Sequence, residues 1–143
     1  EYEKWAAYGQ SKTAASLLAI EVDKRMKDSG IRAFSVHPGG IITPLQRHLE
    51  QEEMVALGWM DKEGQPTELV AKMFKTARQG ASTSLWAATS PQLDDIGGVY
   101  CENCEVAAPT DDGENARFIG VNDWAVDSEE ASRLWDETEL MLS

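Results

Sequence analysis

The stretch that most restricts the fold runs from residue 2 to residue 40. It reads as a long helix, a glycine stop, a short apolar strand and a Pro-Gly-Gly loop. Ala15, Leu18, Val22 and Met26 recur at spacings of three and four, and Ala14, Leu17 and Ala19 widen the stripe. Glu21, Asp23, Lys24, Lys27 and Asp28 fall on the other faces. Gly30 suits the left-handed residue that ends a helix, so the helix is expected over residues 2–29. Residues 31–36 are short and apolar-rich, and Pro38-Gly39-Gly40 closes them, as expected of a buried strand entering a loop. Helix, tight turn and strand make half of an α/β crossover unit.

Beyond Thr43 the pattern loosens into short helical pieces, 45–57 and 68–74, separated by Gly58, Gly64 and Pro66. Thr76 and Gln79 form a capping box that opens a helix through Leu85, Trp86 and Ala88, and Ser90-Pro91 ends it. Gly97-Gly98 precedes a second short strand over 99–101. A polar, acidic loop follows around Asp111-Asp112-Gly113. Asp127 and Glu130 offer another capping-box-like start, after which Ala131, Leu134, Trp135, Thr138 and Met141 line one face of a last helix. No repeat, linker or low-complexity segment interrupts this order. The 143 residues are one domain's worth of chain or part of a larger one.

A net charge of −12 disfavours nucleic-acid backbones and anionic membranes as partners. The longest apolar run, residues 14–20, is too short to cross a bilayer. Cys101 and Cys104 are too few for a disulfide framework, and nothing resembles an export signal, so a cytoplasmic setting is expected.

Tyr8 and Lys12 stand one turn apart on one helix face. A free phenol is a poor base at neutral pH, and an adjacent ammonium favours the phenolate. Such a pair suits proton transfer to or from an alcohol or carbonyl oxygen. By itself the spacing is weak, and a surface pair is the favoured reading. Its setting is more specific: "YGQSKTA" leads into the amphipathic helix, the Gly stop, the strand and then "HPGGIIT". Together with "QGASTSLWAAT" and "GGVYCENCEVA", these residues resemble the short-chain dehydrogenase/reductase superfamily, in its retinol-dehydrogenase-like and protochlorophyllide-reductase-like branch.

The resemblance implies an α/β fold: the helix-rich C-terminal portion of a Rossmann-type, doubly wound parallel sheet, with residues 1–143 as the C-terminal part of one domain. It implies NAD or NADP as cofactor and a small apolar alcohol or carbonyl compound as substrate. It makes Tyr8 the catalytic acid/base, and Lys12 the residue that tunes the phenol and meets the nicotinamide ribose. Pro38 and Gly39 match the turn that passes close to the cofactor, Ile41 the backbone that meets its carboxamide, and Thr43 the hydroxyl on carboxamide or phosphate. Residues 44–74 match the substrate-covering segment. Its Met54, Leu57, Trp59, Met60 and Phe74 would suit an apolar substrate, although ordinary packing is the favoured reading.

The sequence also departs from the family's pattern. It carries no Gly-rich nucleotide turn, no acidic or basic selector between NAD and NADP and no Asn-Ala-Gly motif. The family's substrate-holding serine is missing too, and Ser11, between Tyr8 and Lys12, cannot replace it. A nucleotide-binding half is therefore expected outside these residues, without which the chain should not turn over. Two parallel strands would leave an open edge and an uncovered face.

Other candidates are weaker. Cys101 and Cys104 could be half a zinc site or a redox pair, but no second pair accompanies them, and His37 and His48 lie far off in sequence. His37 is expected to be structural or cofactor-adjacent. Glu102, Glu105, Asp111, Asp112 and Glu114 are read as a solvated acidic loop, and the five tryptophans as packing anchors. The alternative to an enzyme is a non-catalytic fragment that assembles through the Tyr8 helix and the helix over 76–88, faces that in the family meet a twofold-related subunit.

Overall fold

The computed structural model of the chain describes residues 2–110 and 119–143. Helix α1 (Lys4–Met26) is capped by Glu3, whose carboxylate accepts hydrogen bonds from the N–H groups of Trp5 and Ala6. One turn of 3₁₀ helix (Lys27–Ser29) tightens its end, and Gly30 at φ +75° reverses the chain. Strand β1 (Phe34–His37) follows. A 3₁₀ turn (Pro44–His48) and the short helices α2 (Gln51–Ala56) and α3 (Glu68–Met73) lead to α4 (Ala77–Thr89), whose Thr76–Gln79 capping box forms as expected. The helix expected over 45–57 is split, because Leu49 and Glu50 adopt extended backbone between its two pieces. Strands β2 (Val99–Glu102) and β3 (Glu105–Val106) and helix α5 (Ser128–Leu142) complete the order.

The fold is α/β, with a small mixed sheet ordered β1-β2-β3. Strands β1 and β2 pair in parallel, with Phe34 opposite Val99 and His37 opposite Glu102. Strand β3 is a correction to the two-strand expectation. It pairs antiparallel to β2 through a two-residue turn in which Asn103 (φ +49°) and Cys104 (φ +61°) are both left-handed, as in a type I′ hairpin.

Alternation along the strands sends Phe34, Val36, Val99 and Cys101 to one face, where they pack with Trp86, Ala87 and Leu93 from α4 and the turn after it. Cys101 is fully enclosed, and burial pushes its thiol up. Both cysteines are free thiols, and no metal-binding cluster exists among the described residues.

Helix α1 covers the other face, and α5 packs on α1. The expected apolar stripe is not the buried one. Leu18 and Met26 remain exposed, whereas Ser16, Leu17, Glu21 and Asp23 are buried. The helix is apolar around most of its circumference between Ala14 and Ile20, so spacing alone did not choose a face. Two buried carboxylates and the cations that pair with them settle the choice. Glu21 accepts from Arg25 at 2.7 Å and Lys24 at 3.2 Å, and Arg25 lies 4.6 Å over the Trp135 ring of α5. Asp23 accepts from Arg32 Nε at 2.8 Å and Nη2 at 3.1 Å, and from the Ala33 N–H at 3.0 Å.

Candidate functional site

The Asp23 contacts fix the direction of α1. They tie its C-terminal end to the residues just before β1, so helix and strand run antiparallel. Tyr8 lies fifteen residues before Asp23, about 22 Å up the helix at 1.5 Å per residue. Pro38 and Gly39 lie five and six residues beyond Ala33, about 16–20 Å up the strand at 3.3 Å per residue. Tyr8 and the Pro38-Gly39 turn therefore stand level at the carboxyl end of the parallel strands.

Tyr8 is half-exposed and packs edge-on against Trp5, with ring centroids 6.3 Å apart. The Lys12 ammonium lies 5.3 Å from the centre of the Tyr8 ring. Ser11 is spent locally, donating to the Tyr8 carbonyl at 2.7 Å. The Tyr100 phenol on β2 is pushed up by burial, then by Glu102 and by Tyr8.

The loop after β1 is tightly determined. Gly39 has φ +91°, and a Cβ there would also press on the Lys75 side chain. Lys75 N–H donates to the Gly40 carbonyl at 2.8 Å, and Lys75 Nζ donates to Asn103 at 2.6 Å. The Ile41 carbonyl accepts from Gln46 Nε2 at 2.8 Å. Thr43 caps the Pro44–His48 turn: its N–H donates to Gln46 Oε1 at 2.7 Å, and its hydroxyl accepts from Leu45 N–H at 3.2 Å. This hydroxyl is engaged locally, which sequence reasoning did not anticipate, although the T-P-x-Q spacing carries the signal.

The structure thus brings Tyr8 and Lys12 together on one helix face. Pro38, Gly39, Ile41 and Thr43 follow one another along the loop leaving the same end of the sheet. In the covering segment, Trp59 meets Phe74 edge-on at 5.5 Å, and Phe74 lies on Gly40, which favours packing as their role. Of the acidic positions, Glu105 is exposed. Glu102 is buried on β2 and is no part of a solvated loop, while Asp111, Asp112 and Glu114 lie outside the described residues. The tryptophans divide: Trp59, Trp86 and Trp135 are partly buried, whereas Trp5 and Trp124 are exposed.

No family model matches the chain, and no solved structure matches it. Individual proteins do. The short-chain dehydrogenase/reductase prx1 of Penicillium roqueforti is 38% identical over 143 residues, covering 100% of this chain and 40% of that protein. A probable oxidoreductase of Streptomyces lividans is 42% identical over 135 residues, 94% of this chain and 44% of the relative. Retinol dehydrogenase 12 of Mus musculus is 30% identical over 130 residues, 91% of this chain and 34% of the relative. The chain therefore spans less than half the length of each of these relatives.

Proposed function

The chain belongs to the short-chain dehydrogenase/reductase family, and from that premise we propose that it is the catalytic-helix part of an NAD- or NADP-dependent oxidoreductase interconverting an alcohol and a carbonyl. The observation that carries the proposal is Tyr8, half-exposed beside the Lys12 ammonium and level with the Pro38-Gly39 turn.

In this reading a bound nicotinamide supplies or accepts the hydride. Tyr8 Oη gives a proton to the carbonyl oxygen in reduction, or takes one from the alcohol in oxidation. Lys12 places positive charge beside the phenol when it carries negative charge, and would meet the nicotinamide ribose. Pro38 and Gly39 form the turn along which the nicotinamide end would lie. The Ile41 carbonyl accepts one hydrogen bond, from Gln46 Nε2, so its second lone pair and the Ile41 N–H are the backbone groups that would meet a carboxamide. Thr43 would donate its hydroxyl to carboxamide or phosphate by releasing the hydrogen bond it gives to Gln46 Oε1.

These residues fit the nicotinamide end of the cofactor. Residues for the adenine end, and the serine that would hold the substrate oxygen, are not among the 143. The activity is accordingly proposed for the intact protein, as the C-terminal part of one Rossmann-type domain, and residues 1–143 alone are proposed to be inactive. A small apolar alcohol, aldehyde or ketone is the proposed substrate class. A homo-oligomer joined through α1 and α4 is proposed from the exposed Leu18 and Leu85 on those helices. No helix of the described residues is long and apolar enough to cross a membrane, and a cytoplasmic setting is part of the same proposal.

Titrating the intact protein with NADH and NADPH, read by nicotinamide fluorescence, tests the reading. Saturable binding of one of them is expected. Failure of both to bind would contradict it.

A further inference from the structure

Three carboxylates are buried among the described residues: Glu21, Asp23 and Glu102. The first two are paired with arginine or lysine and hold elements together. Glu102 differs in both place and partners. It ends β2 at the carboxyl edge of the sheet, on the face covered by α1 and opposite His37 across the ladder. One oxygen accepts from the Gly120 N–H at 2.6 Å, and the other lies 3.9 Å from His37 Nδ1. The His37 ring stacks over Tyr100, with centroids 6.5 Å apart and planes 20° from parallel. His37 is the residue immediately before the Pro38-Gly39 turn.

We propose that Glu102 is a positioning residue of the nicotinamide-binding turn, acting through His37: its buried carboxylate orients the imidazole and anchors the Gly120 backbone, and so fixes the end of β1 from which Pro38 and Gly39 depart. This rests on the oxidoreductase reading given above. The geometry makes the carboxylate the meeting point of β2, β1 and the segment at Gly120. At 3.9 Å the contact is electrostatic, and the negative carboxylate favours an imidazole with its Nδ1–H turned toward Glu102 and Nε2 left as an acceptor. Burial lowers the basicity of His37. Glu102 opposes that effect, and Lys75 adds to it from the residue before the N-cap of α4. The charged or titratable groups facing the ring are thus Glu102, Lys75 and Tyr100.

The test uses the intact protein and two readouts. The first is the NMR titration of the His37 ring proton, assigned by its loss in His37→Gln. The second is the dissociation constant of NADH or NADPH, whichever the wild type binds. Glu102→Gln is expected to move the His37 titration to lower pH and to weaken dinucleotide binding about tenfold. Lys75→Met is expected to move the titration to higher pH. His37→Gln, at a half-exposed position that tolerates an amide, is expected to weaken binding as Glu102→Gln does, and serves if the Glu102 variant fails to fold.

A shifted titration with unchanged affinity in Glu102→Gln would overturn the positioning role, leaving a mere electrostatic neighbour. Weakened affinity with an unshifted titration would also overturn it, because the effect would not pass through His37. In His37→Gln, unchanged affinity would overturn it as well. A wild-type protein that binds neither dinucleotide would overturn the oxidoreductase reading, and the role assigned here with it. That result is distinct from the other three, because it appears before any substitution is made.

Discussion

Gly80, in the first turns of α4, faces the side chain of Ile41 so closely that no Cβ fits between them. In an exposed helix, alanine in place of glycine gains about 1 kcal/mol. Here that gain meets a clash with the tip of a flexible side chain, which can rotate away. Gly80→Ala is therefore expected to leave the melting temperature within a few degrees of the wild type. Displacing Ile41 disturbs the loop proposed to meet the carboxamide, so dinucleotide affinity should fall several-fold. Unchanged affinity, measured by fluorescence titration, would show that Ile41 is not near the cofactor.

The α1–α5 contact depends on Glu21. Burial pushes its carboxyl up, but hydrogen bonds from Arg25 and Lys24 outweigh that and hold it below the ordinary carboxylate value. Glu21→Ala removes the acceptor and frees Arg25 from its place against Trp135. Both cations are partly exposed and can turn to water, so the expected cost is about 1–3 kcal/mol, read as a lower urea midpoint.

Acid should loosen the joint between α1 and β1. Hydrogen bonds from Arg32, and then from the Ala33 N–H, hold the Asp23 carboxyl below its ordinary value of 3.8 against the opposing effect of burial. Its contribution is present above about that pH and is lost as pH falls through the lower folded value. Asp23→Asn should be destabilised at pH 7, with a gap from wild type that narrows as the solution is acidified below pH 4. Urea unfolding at several pH values reads this. A gap that is constant with pH would contradict it.

Cys104 occupies the second left-handed position of the hairpin turn, where glycine is the preferred residue. Cys104→Gly keeps the backbone N–H that donates to Thr83 at 3.3 Å and relieves the positive φ. A gain of about 0.5–1 kcal/mol is expected by thermal melt. A loss would mean that the thiol's contact with Thr83, at 4.0 Å, outweighs the backbone strain.

The helix-Gly-strand order, the Thr76–Gln79 box and the Tyr8–Lys12 spacing were legible because each is a local pattern with one physical outcome. Burial on α1 was not. Its apolar residues surround the helix, and the face turned inward was selected by Arg32 and by α5, which are distant in sequence. Strand β3 escaped notice because it is two residues long and its turn reads Asn-Cys instead of Asn-Gly. Glu102 read as solvated for a similar reason: an acidic residue among other acidic residues shows its burial only once β1, β2 and the Gly120 backbone converge on it. Gly39 was expected to make room for a ligand. The structure gives it two further reasons, its positive φ and the Lys75 chain lying over it.

The central claim is that the Tyr8 hydroxyl handles the proton during hydride transfer. Single-turnover kinetics of the intact protein, wild type against Tyr8→Phe, test it most directly, with a small apolar aldehyde or ketone and the dinucleotide that binds. The half-exposed Tyr8 ring is retained in phenylalanine, so the fold and dinucleotide affinity should persist. The reduction rate should fall by about two orders of magnitude or more. A Tyr8→Phe protein that turns over at the wild-type rate would contradict the account.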